Sequence, residues 1–222
     1  MAKSENTQKI INLLCSKASF KQKLFYNARQ WMQQWKGIGE EIIKEVEPSV
    51  TMEDERVNVS FEDRNELECI LKVGTDAILL NMHSNVFAFP AEHPVWKNNY
   101  VQEKPERGYF AVFHLYNFLN DSVKYNRLRD QGILLCRIFV NVEGKFFVEG
   151  KKELAEQFGQ LDKAQFSPKI MKEILQSVIV LAVDADLTVP DYQEVMWVTI
   201  DQLNAKDLEV RLQTTKKIGY LQ

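Results

Sequence analysis

The stretch FKQKLFYNARQWMQQWKGIGEEIIKEVE, residues 20–47, decides the fold. Within it Leu24, Ala28, Trp31, Trp35, Ile38 and Ile42 recur at spacings of 4, 3, 4, 3 and 4, with Phe25, Met32 and Val46 flanking the stripe. That is the period of a helix with a broad apolar face, a face that needs a surface to bury against. At ~1.5 Å per residue the rod would be about 42 Å long. Ser19 is placed to cap it and Pro48 to stop it, because proline lacks a backbone donor and its ring collides with the carbonyl one turn back. Gly37 and Gly39 each weaken the middle by about 1 kcal/mol relative to alanine, so a bend is expected there. Ahead of the rod, residues 5–17 read as a separate short helix carrying Ile10, Ile11, Leu13 and Leu14.

Beyond Pro48 the period changes to alternation. Val57, Val59 and Phe61 alternate with Asn58 and Ser60, and Leu67, Cys69 and Leu71 alternate with Glu66, Glu68, Ile70 and Lys72. Gly74-Thr75 marks a turn, and Ala77–Met82 and Val86–Phe89 read as further strands. Turn signals about every ten residues indicate an antiparallel meander. Pro90 and Pro94 open a long polar loop over 90–108 that contains Trp96 and Tyr100, and Tyr109–Phe118 reads as a central strand covered on both faces. Ile133–Val142 and Lys145–Glu149 form a hairpin turning at Glu143-Gly144. Lys152–Phe158 is a short helix. Ser167-Pro168, a cap followed by proline at the first helical position, opens a helix over about 168–183. Val195–Ile200 reads as a last strand, Asp201 as a cap, and Leu208–Leu212 as a weakly alternating end. Helices, then strands, then helix, in segregated order, give an α+β class: N-terminal helices and the 168–183 helix on a mainly antiparallel sheet of six or seven strands. A single domain over 1–222 is expected, divided into a helical arm, 1–48, and a sheet with packed helices, 49–222.

Charge is unevenly spread. Residues 1–36 hold seven Lys or Arg against Glu5 alone, whereas residues 37–68 hold eleven acids against three basic residues; the whole chain sums to only −3. A basic segment beside an acidic one can pair within the molecule or face a partner. Three cysteines, Cys15, Cys69 and Cys136, have no short CxxC spacing and sit among apolar residues, which reads as three buried thiols in a reducing compartment. No signal peptide is visible, and no run approaches the ~18 apolar residues a membrane span needs. The cytoplasm is the expected compartment.

Four groups of residues carry chemistry worth placing. In a hairpin with a two-residue loop Ile138 faces Glu149, so Glu149 and Lys151 would share the face of Leu134, Cys136, Ile138, Val140 and Val142, whereas a three-residue loop would turn Glu149 to the other face and a strand ending at Gly150 would leave both in solvent at the sheet rim. Charged groups forced onto an apolar face are costly unless paired or bound to something. Glu149-x-Lys151 with Asp130 ahead of the preceding strand superficially resembles the acid-acid-lysine set of the PD-(D/E)xK nucleases, which implies Mg²⁺ held by two carboxylates, with Glu41 or Glu45 completing the set. The match covers only about twenty residues, and the acidity of the chain speaks against a phosphate backbone as ligand.

The second group is the basic, aromatic stretch 20–36: Phe20, Phe25, Tyr26, Trp31 and Trp35 among Lys21, Lys23, Arg29 and Lys36. It can be core, a protein-docking helix, or a membrane-surface helix; core is favoured for Trp31 and Trp35. The third is His83, His93 and His114 with Glu92, which lack any HxH or HExxH spacing and predict no metal site. The fourth is the polar segment Asn117–Asp130, where Arg127 and Arg129 could read a carboxylate or phosphate, although a loop tied down by its own Asn, Asp and Arg side chains is the favoured reading. No phosphate-cradling glycine loop or GxSxG elbow is present. The leading expectation is a non-enzymatic interaction or assembly module that binds a protein partner or itself, with no cofactor, no metal and no specific nucleic acid. The alternative is a metal-dependent phosphodiesterase or nuclease using Asp130, Glu149 and Lys151.

Overall fold

The computed structural model describes residues 4–128, 130–189 and 191–197. Helix formation starts at Ser4, whose hydroxyl accepts from the Thr7 amide at 3.2 Å. Helix α1 (Glu5–Leu13) passes through one π-helical turn, Leu14–Ala18, straight into α2 (Ser19–Glu53). This corrects two expectations. Ser19 caps nothing, because the π turn absorbs an extra residue without breaking the spiral. Pro48 does not end the helix, which closes at Glu53 with the Asp54 amide on the Val50 carbonyl at 2.8 Å. Proline forfeits one hydrogen bond, yet its fixed φ is itself helical, so the chain winds on after it. The rod is also unbroken at Gly37 and Gly39. From Glu5 to Glu53 it is about 73 Å long at ~1.5 Å per residue.

The sheet is antiparallel throughout, in the order β1 (Val59–Asn65), β2 (Glu68–Val73), β3 (Asp76–Met82), β5 (Tyr109–Leu119), β6 (Ile133–Asn141), β7 (Phe146–Gly150). The two-residue strand β4 (Phe87–Ala88) pairs with the start of β5. With the two long helices on one side, the class is α+β. Two helices cover the inner face: α2, through Leu24, Met32, Trp35 and Ile42, and α6 (Pro168–Asp184), through Met171, Ile174, Leu175 and Val178. Ser167 caps α6, accepting from the Ile170 amide.

On the outer face the expected polar loop after Pro90 is instead a structured flap. It holds two 3₁₀ turns, Pro94–Lys97 and Pro105–Gly108, and the short α3 (Asn99–Glu103) between them. Val95 and Val101 plug it onto Phe110, Val112, Phe139 and Phe147, giving a second, smaller core. A loop with two apolar anchors and proline-started turns is legible only once a sheet face is there to receive it. Strand β5 is accordingly covered on both faces at its start, whereas His114, Tyr116 and Phe118 farther along the outer face are half-buried. After β5 come α4 (Asn120–Lys124) and a turn leading to β6; α5 (Lys152–Phe158) follows β7.

The β6–β7 hairpin has a three-residue loop, Val142–Gly144, and its register differs by one from the expected pairing: Arg137, not Ile138, faces Glu149. Gly144, at φ +74°, supplies the left-handed position such a loop needs. A one-residue slip moves every side chain to the other face, so Glu149 lies on the outer face beside Arg137. A bulge where β6 leaves register with β5 buries both Leu135 and Cys136 and turns Leu134 outward. Gly150 closes the hairpin under that bulge: a Cβ there would stand 2.4 Å from the Leu135 carbonyl oxygen and 2.7 Å from the Cys136 Cβ. Gly150→Ala is therefore expected to lower stability by about 1–3 kcal/mol through overpacking, read as a fall in the urea midpoint at unchanged slope.

At the C-terminal end of the described chain, Val195 closes a short helix, α7 (Tyr192–Val195), rather than opening a strand. The remainder of that expected strand from residue 198, the Asp201 cap and the Leu208–Leu212 alternation lie outside the described residues.

Candidate functional site

The rod is longer than the sheet beneath it. Its buried positions run from Leu24 to Ile43, and both ends run on past them, with Val50 still packed against the core. At the N-terminal end no residue of α1 or of the π turn is buried, and Ile10, Leu13 and Leu14 are each more than half exposed. Positions i, i+3 and i+4 fall on one side of a helix, so these three make a continuous apolar seam. Lys9 and Lys17 belong to the same overhang. Lys17 and Lys21 lie over the Tyr109 ring, which Phe20 meets edge-on.

The C-terminal overhang has the opposite charge. Beyond Ile43 it carries Lys44, Glu45, Glu47 and Glu53. Here the end of α2 and the end of α6 spread apart around an apolar cleft of about 670 Å³ lined by Val46, Val50, Val57, Ile179, Val180 and Val183. Val180 is 65 % exposed and Val183 57 %. Lys172 of α6 clamps Glu41 and Glu45 together, at 3.4 and 2.8 Å. The hydrogen bonds that Lys172 donates, first to Glu45 and then to Glu41, outweigh burial and raise its ammonium above the usual range. Glu47 and Glu53 form no ion pair among the described residues, and neither do Lys9, Lys17, Lys21 and Lys23. Of the basic half, Arg29 pairs with Glu66 at 2.7 Å and Lys36, nearly buried, bonds Asp63 and the Asn65 carbonyl, each at 2.5 Å. The intramolecular pairing suggested by the charge split is thus confined to the middle of the rod.

Trp35 is fully buried; Trp31 is half-buried against the Phe166 ring, edge-on at 5.7 Å. Both serve the core, so the docking face anticipated over 20–36 is not a tryptophan face. The exposed seam instead lies before it, on residues the sequence marked only as a short amphipathic helix. The signal that could have found it is the pair of unlike charges at the two ends of one apolar stripe.

The acid-acid-lysine set is not gathered at one point. Asp130 is buried beneath the turn after α4, accepting from Ser122 at 2.5 Å with Arg127 at 3.9 Å. That turn folds over Ile70, Ala77 and Leu79 of β2 and β3. Glu149 sits on β7 in an ion pair with Arg137, and Lys151 begins α5. Strand β7 is three places from β3 in the sheet, and neighbouring strands are ~4.8 Å apart. Glu41 and Glu45 lie on the helical side. Among the described residues no three His, Cys, Asp or Glu side chains stand close enough to share a metal ion. His83 and His114 face each other on the outer sheet face, ring centres 6.5 Å apart. Burial first, then the nearby His83 and Arg137 charges, hold His114 below its ordinary range. His93 stacks on Phe89. Arg129 lies outside the described residues.

Cysteine exposure also departs from expectation. Cys15, on the overhang, is exposed; Cys69 and Cys136 are buried, and burial pushes both thiols up to about 12. A disulfide-exchange reagent at pH 8 is expected to titrate one thiol per chain rapidly and two more only in denaturant. Fast reaction of all three in the folded protein would contradict the burial described here.

Among the described residues no helix is long and apolar enough to cross a membrane. Comparison with known proteins finds no matching family model, no matching curated protein and no matching solved structure.

Proposed function

We propose that this protein is an assembly module that pairs with a second copy of itself through the overhanging ends of its long helix. One observation carries the reading: a single rod bears an apolar, basic overhang at one end and an apolar, acidic cleft at the other. Two such rods laid antiparallel bring the seam of each copy, near residue 12, beside the cleft of the other, near residue 48. Both contacts form at once, so the interface closes on itself as a two-fold dimer and leaves no end for a third copy. Burying Ile10, Leu13 and Leu14 supplies the affinity, since each large apolar side chain contributes about 1.5–3 kcal/mol when removed from water. The unlike charges set the direction, because a parallel pairing would place lysines on lysines.

The test is the molar mass in solution by light scattering. About twice the 25.9 kDa of one chain is expected, weakening with salt. A monomer at all concentrations would overturn the proposal. A monomer that starts to dimerise on removal of residues 198–222 would assign the cleft to the chain's own C-terminal segment.

The phosphodiesterase alternative requires Asp130, Glu149 and Lys151 about one cation whose ligand bonds are ~2.1 Å. The engagement of Asp130 with Ser122 and of Glu149 with Arg137 weighs against it. Incubation with Mg²⁺ and single- or double-stranded DNA is expected to give no cleavage; cleavage lost in both Asp130→Asn and Glu149→Gln would reinstate it.

A further inference from the structure

Residues opposite one another on neighbouring strands share a face. On the outer face they make one polar row across six strands, with Asn65, Glu68, Asn81, His114, Arg137 and Glu149 in register in that order. Glu68 accepts from Asn65 at 2.8 Å and from Asn81 at 2.9 Å, and Arg137 pairs with Glu149. The row breaks at His114, whose ring has no hydrogen-bond partner among the described residues and is not closed off from solvent. Beside the break a cleft of about 240 Å³ opens between the row and β4, with Phe87, Phe89, Val112 and Phe139 as its apolar wall and His83, His114 and Arg137 as its polar one. All three polar residues are accessible: His83 and His114 are half-buried, and the Arg137 side chain is 45 % exposed. Phe87 is 41 % exposed and meets the His83 ring edge-on at 4.6 Å.

The polar wall offers donors. The Asn85 amide donates to His83 Nδ1 at 3.1 Å, which places the proton of the neutral ring on Nε2. His114, neutral near pH 7, offers one N–H. Arg137 gives Nη2 to Glu149 and keeps its other N–H groups without a partner among the described residues. Its guanidinium stands 5.2 Å from the centre of the Phe139 ring, so the charge lies at the edge of the apolar wall. No acid lines the cleft. An ammonium would therefore meet Arg137 with nothing to bond it, and a wholly apolar molecule would leave the donors unused. The volume is below the ~300–1,000 Å³ of drug-sized sites, which limits the ligand to one ring with a short head. Aromatic walls suit an aromatic ring, and a charged head at the exposed guanidinium keeps part of its hydration, which lowers the cost of taking it from water. We propose that this cleft binds a small aromatic carboxylate, its ring against Phe87, Phe89 and Phe139 and its carboxylate accepting from Arg137 and the two histidines. Charge-assisted bonds of this kind are about twice as strong as neutral ones. The cleft lies on the face opposite the long helices, so it stands or falls independently of the proposed dimer.

The test is titration calorimetry of the full-length protein with benzoate, benzyl alcohol and acetate, together with proton NMR of the histidine rings. Benzoate is expected to bind and to shift the His83 and His114 signals in a saturable way. Benzyl alcohol keeps the ring and lacks the charge; acetate keeps the charge and lacks the ring. Each is expected to bind about tenfold more weakly than benzoate or worse. His114→Phe keeps the wall apolar and removes a donor, and Arg137→Gln removes the charge. Each variant is expected to lower benzoate affinity about tenfold or more, with little effect on benzyl alcohol. If a variant fails to fold, the comparison of the three probes on the wild type decides alone. No benzoate binding at millimolar concentration, benzyl alcohol or acetate binding as tightly as benzoate, or full benzoate affinity in both folded variants overturns the proposal.

Discussion

Replacing Trp35 by alanine is expected to cost about 3–5 kcal/mol, the range for deleting a large buried aromatic side chain. Trp35 is fully buried and lies 6.0 Å from the ring of Phe166, which also meets Trp31, Phe113 and Phe146. That aromatic group joins the rod to the sheet, so the cavity opens where the two layers meet. Against a typical total of about 5–15 kcal/mol, the loss is a large share of the stability. Trp35→Phe should be far milder. The Trp35 indole N–H is buried without a partner, so removing it relieves a desolvation cost of about 1–3 kcal/mol that offsets part of the lost volume. Trp31→Ala falls between them, because Trp31 is only half-buried. Chemical denaturation of the three variants checks the order; a Trp35→Ala variant as stable as wild type would mean that the rod does not pack as described.

The second large effect concerns assembly. Leu13→Asp with Leu14→Asp places two carboxylates on the N-terminal seam, which touches no core residue, so the fold and its melting transition are expected to survive. The dimer should not. Removing two large apolar groups from an interface costs about 1.5–3 kcal/mol each, and the new charges would face Glu47 and Glu53 of the second copy. A dissociation constant about 100-fold or more higher is expected, measured by sedimentation equilibrium. The reverse change at the other end, Val180→Asp, should act alike. Val180 is solvent-facing in one chain, so a purely intramolecular account predicts no effect from it.

Much of the architecture was legible because long periodic segments report their own burial. The 4-3-4-3-4 spacing from Leu24 to Ile42 could be little else than a helix on a surface, and Ser167-Pro168 announced α6 by its chemistry. Errors came where one residue decides between alternatives. The hairpin expectation had the right turn residues, but a loop of three rather than two residues moved Glu149 to the opposite face. The Leu135 bulge could not be read from a run of apolar residues that suits either face. Pro48 reads locally as a stop because its missing donor is a local penalty, whereas helix length is settled by what lies on both sides.

The assembly surface was half legible. The charge split was plain, and so was the apolar cluster at Ile10–Leu14. That these residues are exposed follows from a mismatch of lengths: the rod meets the sheet side from Lys17, over Tyr109, to Val50, about 50 Å, and its first ~18 Å runs beyond; no local pattern encodes how wide a sheet will be. In the sequence Arg127 stands out as a carboxylate or phosphate reader and Asp130 as a member of the acid-acid-lysine set, but nothing marks the two as a pair. Its burial depends on that loop folding back over β2 and β3, a long-range event with no periodic signature.

The most direct measurement uses the exposed Cys15. A spin label introduced under native conditions attaches there alone, since Cys69 and Cys136 are buried. In an antiparallel dimer that matches residue 12 to residue 48, Cys15 of one copy lies beside residue 45 of the other. The two labels are then about 45 Å apart at ~1.5 Å per residue. Double electron–electron resonance giving a distribution centred near that distance is the predicted result; a separation under about 20 Å, or no dipolar coupling at concentrations where light scattering reads a single chain, would contradict it.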